Sequence, residues 1–452
     1  MASLPPGPTL PAVFQLWRWV YRPIPFMEEC ARRYGECFTV RFPGYPPIVL
    51  FSNPDAVKEI FTGDPDTLFA GETRLLLKPV VGQYSLLLLD GARHRYQQRL
   101  LMPPFHGERV YTCGETMREI TDRVVESWPV GHPFLLHPEI EKITLNIILQ
   151  TIFGIDKEPD LRRLYDRLLR ILTLGASPLA LIPRLQALLG PFTGQQRLRR
   201  LVQEVDEILF TQIARNRAVG SAGYTDVLFL LINARDESGR PMSEIELRDT
   251  LMTLVVAGHD TTATSLAWIF LYILQYPDVL EKIREELYRV VGSGPVLPQQ
   301  IDQLAYLDAT VKEVQRVIPI FPLASRRLHT PMCIGGWDLP AGVVAGSCIY
   351  LTHRRPDIWP NPEQFDPDRF LGKKANPYEF FPFGGGAHYC IGAAFALYEM
   401  KVVLAEVLSR VALHVASGYT VRVVRRSLTL APSAGVPVVV DARRSPLSAR
   451  EI

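Results

Sequence analysis

The sequence predicts a mainly helical chain with small β-sheets at its periphery. Three observations carry that reading. Helix-period segments dominate residues 115 to 215, notably Ile140 to Phe153, Leu161 to Leu174 and Gln195 to Arg215. A capping box, Ser243-Glu-Ile-Glu246, opens a helix that runs to about Tyr276, just before Pro277. At about 1.5 Å per residue that helix spans about 50 Å, enough to cross a whole domain. The strand-like runs, by contrast, are short: 37–51, 341–351 and 419–440.

Composition narrows the class. At 452 residues, 47% hydrophobic and 21% charged, the chain has the make-up of an ordinary soluble globular protein. A net charge of +2 with no long basic run offers nothing for nucleic acid to bind. No stretch approaches the ~20 apolar residues of a membrane span, and the N-terminus lacks the basic n-region of a signal peptide. The six cysteines include no C-x-x-C and no zinc-like spacing. A cytoplasmic chain with reduced thiols is expected.

Taken in order, Leu4-Pro-Pro-Gly-Pro8 is a lead-in that cannot start a helix. Residues 1–15 are expected to be loosely ordered, as is the polar tail 441–452. Core or edge packing is the commoner fate of Trp17, Trp19, Tyr21 and Phe26, so no membrane contact is expected. Cys37 to Phe42, the turn Pro43-Gly-Tyr-Pro46 and Pro47 to Phe51 read as a β-hairpin. Asn53-Pro54 then supplies an N-cap and an N1 proline for a short helix through Phe61. From Gly71 to Asp90 the chain is loop-like yet apolar, with Leu75 to Leu77 and Leu86 to Leu89. Such a loop covers something, either the core or an apolar pocket. Gly91 to Leu100 places His94, Gln98 and Arg99 on a segment whose default reading is a solvated basic face. The stretch Gly175 to Pro191 is apolar, broken by prolines, and bounded by residues that suit a hinge.

The long helix is interrupted in its middle, Leu254-Val-Val-Ala-Gly-His-Asp-Thr-Thr-Ala-Thr-Ser265. Gly258 costs about 1 kcal/mol there relative to alanine. Asp260, Thr261 and Thr262 break a run of Leu, Met, Val, Trp and Phe, which marks either a functional site or a solvated notch. Glu313 and Arg316 share a helix face. By itself such a pair is a surface contact worth ~0.5 kcal/mol. The last motif is Phe381-Pro-Phe-Gly-Gly-Gly-Ala-His-Tyr-Cys-Ile-Gly-Ala-Ala-Phe-Ala396. Cys390 stands just before an alanine-rich helix, whose dipole favours the thiolate. Gly384 to Gly386 let the backbone pass where a Cβ would clash, as a loop against a flat cofactor requires.

The spacing Phe383-x-x-Gly386-x-x-x-Cys390-x-Gly392 resembles the haem-binding loop of the cytochrome P-450 superfamily. The resemblance extends over nearly the whole chain, through five motifs in the family's order, and no repeat or linker divides it. It implies the cytochrome P-450 fold as one domain over 1–452, and haem b with Cys390 as the iron ligand. Phe383, Gly392 and Ala257 lie against the cofactor. His388 stands where the family has an arginine toward a propionate, and is charged only when protonated. His94, Arg326 and either Gln98 or Arg99 are the other propionate contacts. Ala257 to Thr262 matches the oxygen-activating motif, with Gly258 loosening the helix, Thr261 bonding dioxygen and Asp260 relaying protons. Glu313, Arg316 and Arg369 form a buried structural triad.

The reaction implied is insertion of one oxygen atom from O2 into a substrate. Electrons come from a ferredoxin or flavodoxin-type donor with its reductase, since no such domain follows the haem loop. Arg93, Arg95, Arg99 and Lys401 form its docking patch or simply a solvated face. The chain is expected to be monomeric. Gly175 to Pro191 corresponds to the family's mobile lid. The pocket regions are Leu75 to Leu89, Leu172 to Leu189, Leu254 with Ala257, Phe321 to Ala324 and Leu428 to Pro432, with Leu86, Leu254, Ala257, Phe321 and Leu323 as contacts. Their few charges are Lys78, Asp90 and Arg184, so the substrate is lipophilic, of fatty-acid, terpenoid or polyketide size. For a fatty acid, Arg184 or Lys78 would hold the carboxylate. The alternatives are a haem-thiolate peroxygenase or isomerase, and a non-catalytic haem-based ligand sensor. The Asp260-Thr261 pair speaks against both.

Overall fold

The computed structural model describes residues 3–105, 107–153, 158–175, 195–219, 227–235, 239–426 and 428–443. Its principal helices, in chain order, are α1 (Ala12–Tyr21), α2 (Pro23–Tyr34), α3 (Pro54–Thr62), α4 (Gly91–Leu101), α5 (Gly114–Glu126) and α6 (Leu136–Phe153). They continue with α7 (Glu158–Gly175), α8 (Gln195–Val219), α9 (Glu244–Gln275), α10 (Pro277–Val290), α11 (Ala305–Val317) and α12 (Ala393–Arg410). The strands are β1 (Cys37–Val40), β2 (Ile48–Phe51), β3 (Leu68–Phe69), β4 (Phe134–Leu135), β5 (Ala324–Leu328) and β6 (Met332–Ile334). The remainder are β7 (Trp337–Leu339), β8 (Val344–Ser347), β9 (Val411–Val415), β10 (Val423–Arg426), β11 (Thr429–Pro432) and β12 (Pro437–Arg443).

Helix α9 organises the rest. The capping box forms as the sequence predicts: Ser243 Oγ accepts from Glu246 N at 3.2 Å, and Glu246 Oε2 accepts from Ser243 N at 2.8 Å. The helix ends at Gln275, and Pro277 starts α10. Its C-terminal half packs among α5, α6, α10, α11 and α12, and its N-terminal half against α8. By length and composition it could cross a membrane, but 72% of its most apolar window is buried inside the protein. Gly258 does not loosen it, because the helix runs unbroken through that residue. A Cβ there would stand 2.6 Å from Ile148 Cδ1, so the glycine lets α6 approach closely.

The largest sheet has the order β1-β2-β8-β5-β3, antiparallel except for the parallel β2–β8 pair. A second sheet is β4-β12-β9, and β6–β7 and β10–β11 are separate pairs. The β10–β11 hairpin is pinned to α9 by Trp268 Nε1, which donates to Leu430 O at 2.8 Å.

Two expectations about the ends need correction. The lead-in is tied down from residue 5: Pro6 O accepts from Thr39 N at 2.9 Å and Pro5 O from Thr39 Oγ1 at 2.6 Å. Prolines cannot donate, but their carbonyls serve β1, and α1 already begins at Ala12. At the other end, β12 runs to Arg443, whose Nη2 donates to Glu126 O at 2.7 Å, while 444–452 of the expected tail lie outside the described residues. Trp19 and Phe26 are buried, whereas Trp17 and Tyr21 are exposed.

The Glu313–Arg316 pair is a core feature, since both side chains are 0% exposed. Arg316 Nε and Nη2 donate to the two Glu313 oxygens at 2.7 and 2.8 Å. Its remaining donors reach the carbonyls of His353, Pro362 and Gln364. Arg369 joins more loosely, with Nε 3.4 Å from Glu313 Oε1 and Nη2 on Asn361 O. His353 Nε2 in turn accepts from Phe381 N at 2.9 Å, which ties this network to the start of the cysteine loop.

Candidate active site

The cysteine loop is built against α3 and α4. Gly386 has φ +66°, and a Cβ there would lie 2.1 Å from Phe61 O; one on Gly385 would lie 2.2 Å from Phe61 Cδ2. These two glycines therefore serve the contact with α3, and only Gly384 of the three lines the adjoining cavity. Cys390 N donates to Phe383 O at 3.1 Å, and α12 begins three residues after the cysteine. Burial pushes the Cys390 thiol up, outweighing the Gly392 N–H and the Arg74 charge.

Cys390 opens into a cavity of about 1000 Å³. One edge carries His94, His388, Arg326 and Arg74. The two imidazoles lie 3.9 Å apart between centroids, and His388 Nε2 is 3.4 Å from Asp90 Oδ1. Burial holds His94 down at about 3, and lowers His388 as well. Arg326 donates to Ser325 O and Gly385 O, and is lowered to about 9 by burial, then by Arg74. Among the described residues neither Arg74 nor Arg326 has a carboxylate within ion-pair distance. The ring nitrogens of His388 are buried and make no hydrogen bond there.

Arg74 was not foreseen. It immediately precedes Leu75 to Leu77, and a charge beside an apolar run is the signal that could have found it. The expected alternatives, Gln98 and Arg99, do not line the cavity. Gln98 Nε2 is used on Ala387 O at 3.2 Å, and Arg99 is on the exposed side of α4.

The facing wall is α9. Ala257, Asp260 and Thr261 all line the cavity. Thr261 Oγ1 donates to Ala257 O at 2.6 Å, and burial pushes the Asp260 carboxyl up against the opposing influence of Arg426. Leu86, Leu254, Phe321, Leu323, Phe383 and Gly392 lie in the same lining, as expected. The roof loop is fastened to α9 by Tyr84 N on Asp249 Oδ2 at 2.9 Å and by Thr253 Oγ1 on Ser85 Oγ at 2.7 Å.

The pocket is less uniformly apolar than the sequence suggested. Glu141, Glu399, Arg425 and Arg426 also line it, and Arg426 Nη2 pairs with Glu141 Oε1 at 2.5 Å. Lys78 is exposed and outside the lining, and Asp90 is occupied by the N–H groups of Ala70 and Gly71. The side chains of 172–189, Arg184 among them, lie outside the described residues, as does the chain of the expected lid from 176. Lys401 leaves the basic patch: it is nearly buried, with Nζ 3.4 Å from Asp302 and 3.6 Å from Asp308. Arg95 is paired with Asp66 at 3.1 Å.

The family model for Cytochrome P450 matches residues 5–434. The chain belongs to the cytochrome P450 family. Among its relatives is the protein named cytochrome P450 135B1 of Mycobacterium tuberculosis, 37% identical over 450 residues, covering 98% of this chain and 92% of that one. Cytochrome P450 138 of the same organism is 35% identical over 447 residues, 98% and 97% of the two chains. In fold the chain resembles the retinoic-acid-bound cyanobacterial CYP120A1, with a TM-score of 0.85 at 23% identity over 98% and 100% of the chains.

This P450 is a monooxygenase, and its cofactor is haem b held by a cysteine thiolate. The cavity fits that group on its own evidence of form: a thiol on one wall, and at one edge two guanidiniums without an ion-pair partner among the described residues, beside the His388 imidazole, whose Nδ1 makes no hydrogen bond. A buried cation without a carboxylate is costly and suits an anionic group such as a propionate.

Proposed function

We propose that Cys390 is the thiolate ligand and that Arg74, His94, Arg326 and His388 hold the propionates. The reading rests above all on one observation: Cys390 and the Asp260-Thr261 pair line the same largely apolar cavity from different elements. The thiolate-bound haem supplies oxygen activation favoured by electron donation from sulfur. Asp260 and Thr261 deliver protons. The Asp260 carboxyl, raised by burial, keeps a proton nearer to neutral pH than an exposed aspartate does, which suits a donor. Thr261 needs only to rotate its hydroxyl from Ala257 O to reach into the cavity.

One oxygen atom is thereby inserted into a lipophilic substrate of fatty-acid, terpenoid or polyketide size. Apolar burial contributes about 25 cal/mol per Å² to its binding, and the walls exclude water. Electrons come from a ferredoxin or flavodoxin-type donor with its reductase. The exposed Arg93 and Arg99 suit its docking, because Gln98 of the same helix touches the cysteine loop. The test is Cys390→Ser. The variant is expected to lose the long-wavelength Soret band of the reduced carbon-monoxide complex, and retention of that band would remove Cys390 as the ligand.

A further inference from the structure

Arg425 is a half-buried cation, its Nη2 buried, that the proposed haem contacts leave unused. It sits on β10 opposite Leu430, one residue before Arg426, so strand alternation turns the two side chains to opposite faces. Arg426 turns to Glu141. Arg425 turns to α1, where its guanidinium carbon lies 5.1 Å from the Trp19 ring centroid and Nε donates to Trp19 O at 3.4 Å. Its Nη2 is buried and makes no hydrogen bond among the described residues.

The other arginines of the cavity are accounted for. Arg327 pairs with Glu72 and Arg426 with Glu141, while Arg74 and Arg326 stand at the imidazole edge. Arg425 has neither role. Burial is what acts on it, lowering its pKa to about 10, so it remains a cation at neutral pH. A charged donor left unsatisfied in a buried place is unfavourable, and a carboxylate is the group its planar fork matches best. The Trp19 face holds the guanidinium plane in place for such a partner.

We infer that Arg425 anchors the carboxylate of an otherwise apolar monocarboxylic acid, and that such acids are the substrate class. The inference rests on the proposed lipophilic monooxygenation and sharpens it. A single negative charge is favoured over a phosphate because Arg425 is a single cation, the other arginines of the cavity being paired or at the imidazole edge. This moves the anchor from Arg184 or Lys78 to the β10–β11 hairpin.

The test is a set of Soret-shift titrations of the haem-loaded protein with dodecanoic, tetradecanoic and hexadecanoic acids, their methyl esters, and neutral sesquiterpenes. Wild type is expected to bind the acids about tenfold to a hundredfold more tightly than the esters. Arg425→Gln is expected to lose that preference with ester binding unchanged, and Arg425→Lys to recover part of it. Equal binding of acids and esters by wild type overturns the anchor while leaving the lipophilic reading intact. Equal loss of acids and esters in Arg425→Gln, at normal haem content, also overturns it. Binding of none of the three sets overturns both.

Discussion

Replacing Arg316 by alanine removes five donors from a place with no water to substitute for them. The guanidinium gives two bonds to Glu313, at 2.7 and 2.8 Å, and three more to backbone carbonyls. Glu313, 0% exposed, keeps only the N–H of Asp366 and the 3.4 Å approach of Arg369. Breaking a buried pair in this way costs ~3–5 kcal/mol, against a total stability of ~5–15. Arg369→Ala is a smaller injury. Its Nε makes no hydrogen bond, its side chain is 11% exposed, and Glu313 retains the bidentate partner. A cost of ~1.5–3 kcal/mol is expected, about that of one charged hydrogen bond. Arg369 is thus the most loosely held member of the expected triad. The assay is urea unfolding of the haem-loaded proteins, followed by the Soret band and far-ultraviolet circular dichroism together. Arg316→Ala should yield little haem protein or a midpoint far below that of Arg369→Ala. Equal midpoints, or an Arg316→Ala midpoint near wild type, would refute the reasoning.

Three further outcomes follow from individual contacts. Thr261→Ala should keep haem and substrate binding but divert reducing equivalents to hydrogen peroxide; unchanged product per electron removes Thr261 from proton delivery. Gly258→Ala gains ~1 kcal/mol of helix propensity but forces a Cβ to 2.6 Å from Ile148 Cδ1, an overpacking worth ~1–3 kcal/mol. It should therefore destabilise wild type and stabilise an Ile148→Ala background, and the same sign in both would contradict the close-approach account. Burial, then Arg316, lowers His353 to about 3 from 6.5, so its neutral form contributes stability fully above about pH 6.5 that is lost as pH falls toward 3. Relative to His353→Gln, wild type should lose up to ~1.4 kcal/mol per pH unit below that point, and parallel stability curves from pH 7.5 to 5 would speak against a neutral buried imidazole.

What could be read from the sequence was what local chemistry decides. The capping box at Ser243, the proline at 277, the turn between β1 and β2 and the cysteine loop are each specified by residues within a few positions of one another. The residues that escaped are those whose role depends on distant partners. Nothing next to Arg425 says that Trp19, 406 residues away in sequence, will stack on it. Nothing next to Gly258 says that Ile148 will need its space. Likewise the i,i+3 spacing of Glu313 and Arg316 gives their common face and leaves open whether water or protein covers it.

The structural network and the site meet in one residue, His353. Its carbonyl accepts from Arg316 and its imidazole accepts from Phe381 N, nine residues before Cys390. On the other side, Gly385 O and Ala387 O in the same loop accept from Arg326 and Gln98. The loop is thus held at its start by the buried ion pair and along its length by side chains from β5 and α4. An acceptor at His353 Nε2 exists only while the imidazole is neutral, which burial and then the Arg316 charge favour. The same burial that makes the Glu313–Arg316 pair costly to break keeps that imidazole uncharged. Stability of the core and placement of the cysteine loop are therefore coupled through His353, whose carbonyl bonds the ion pair and whose ring bonds Phe381.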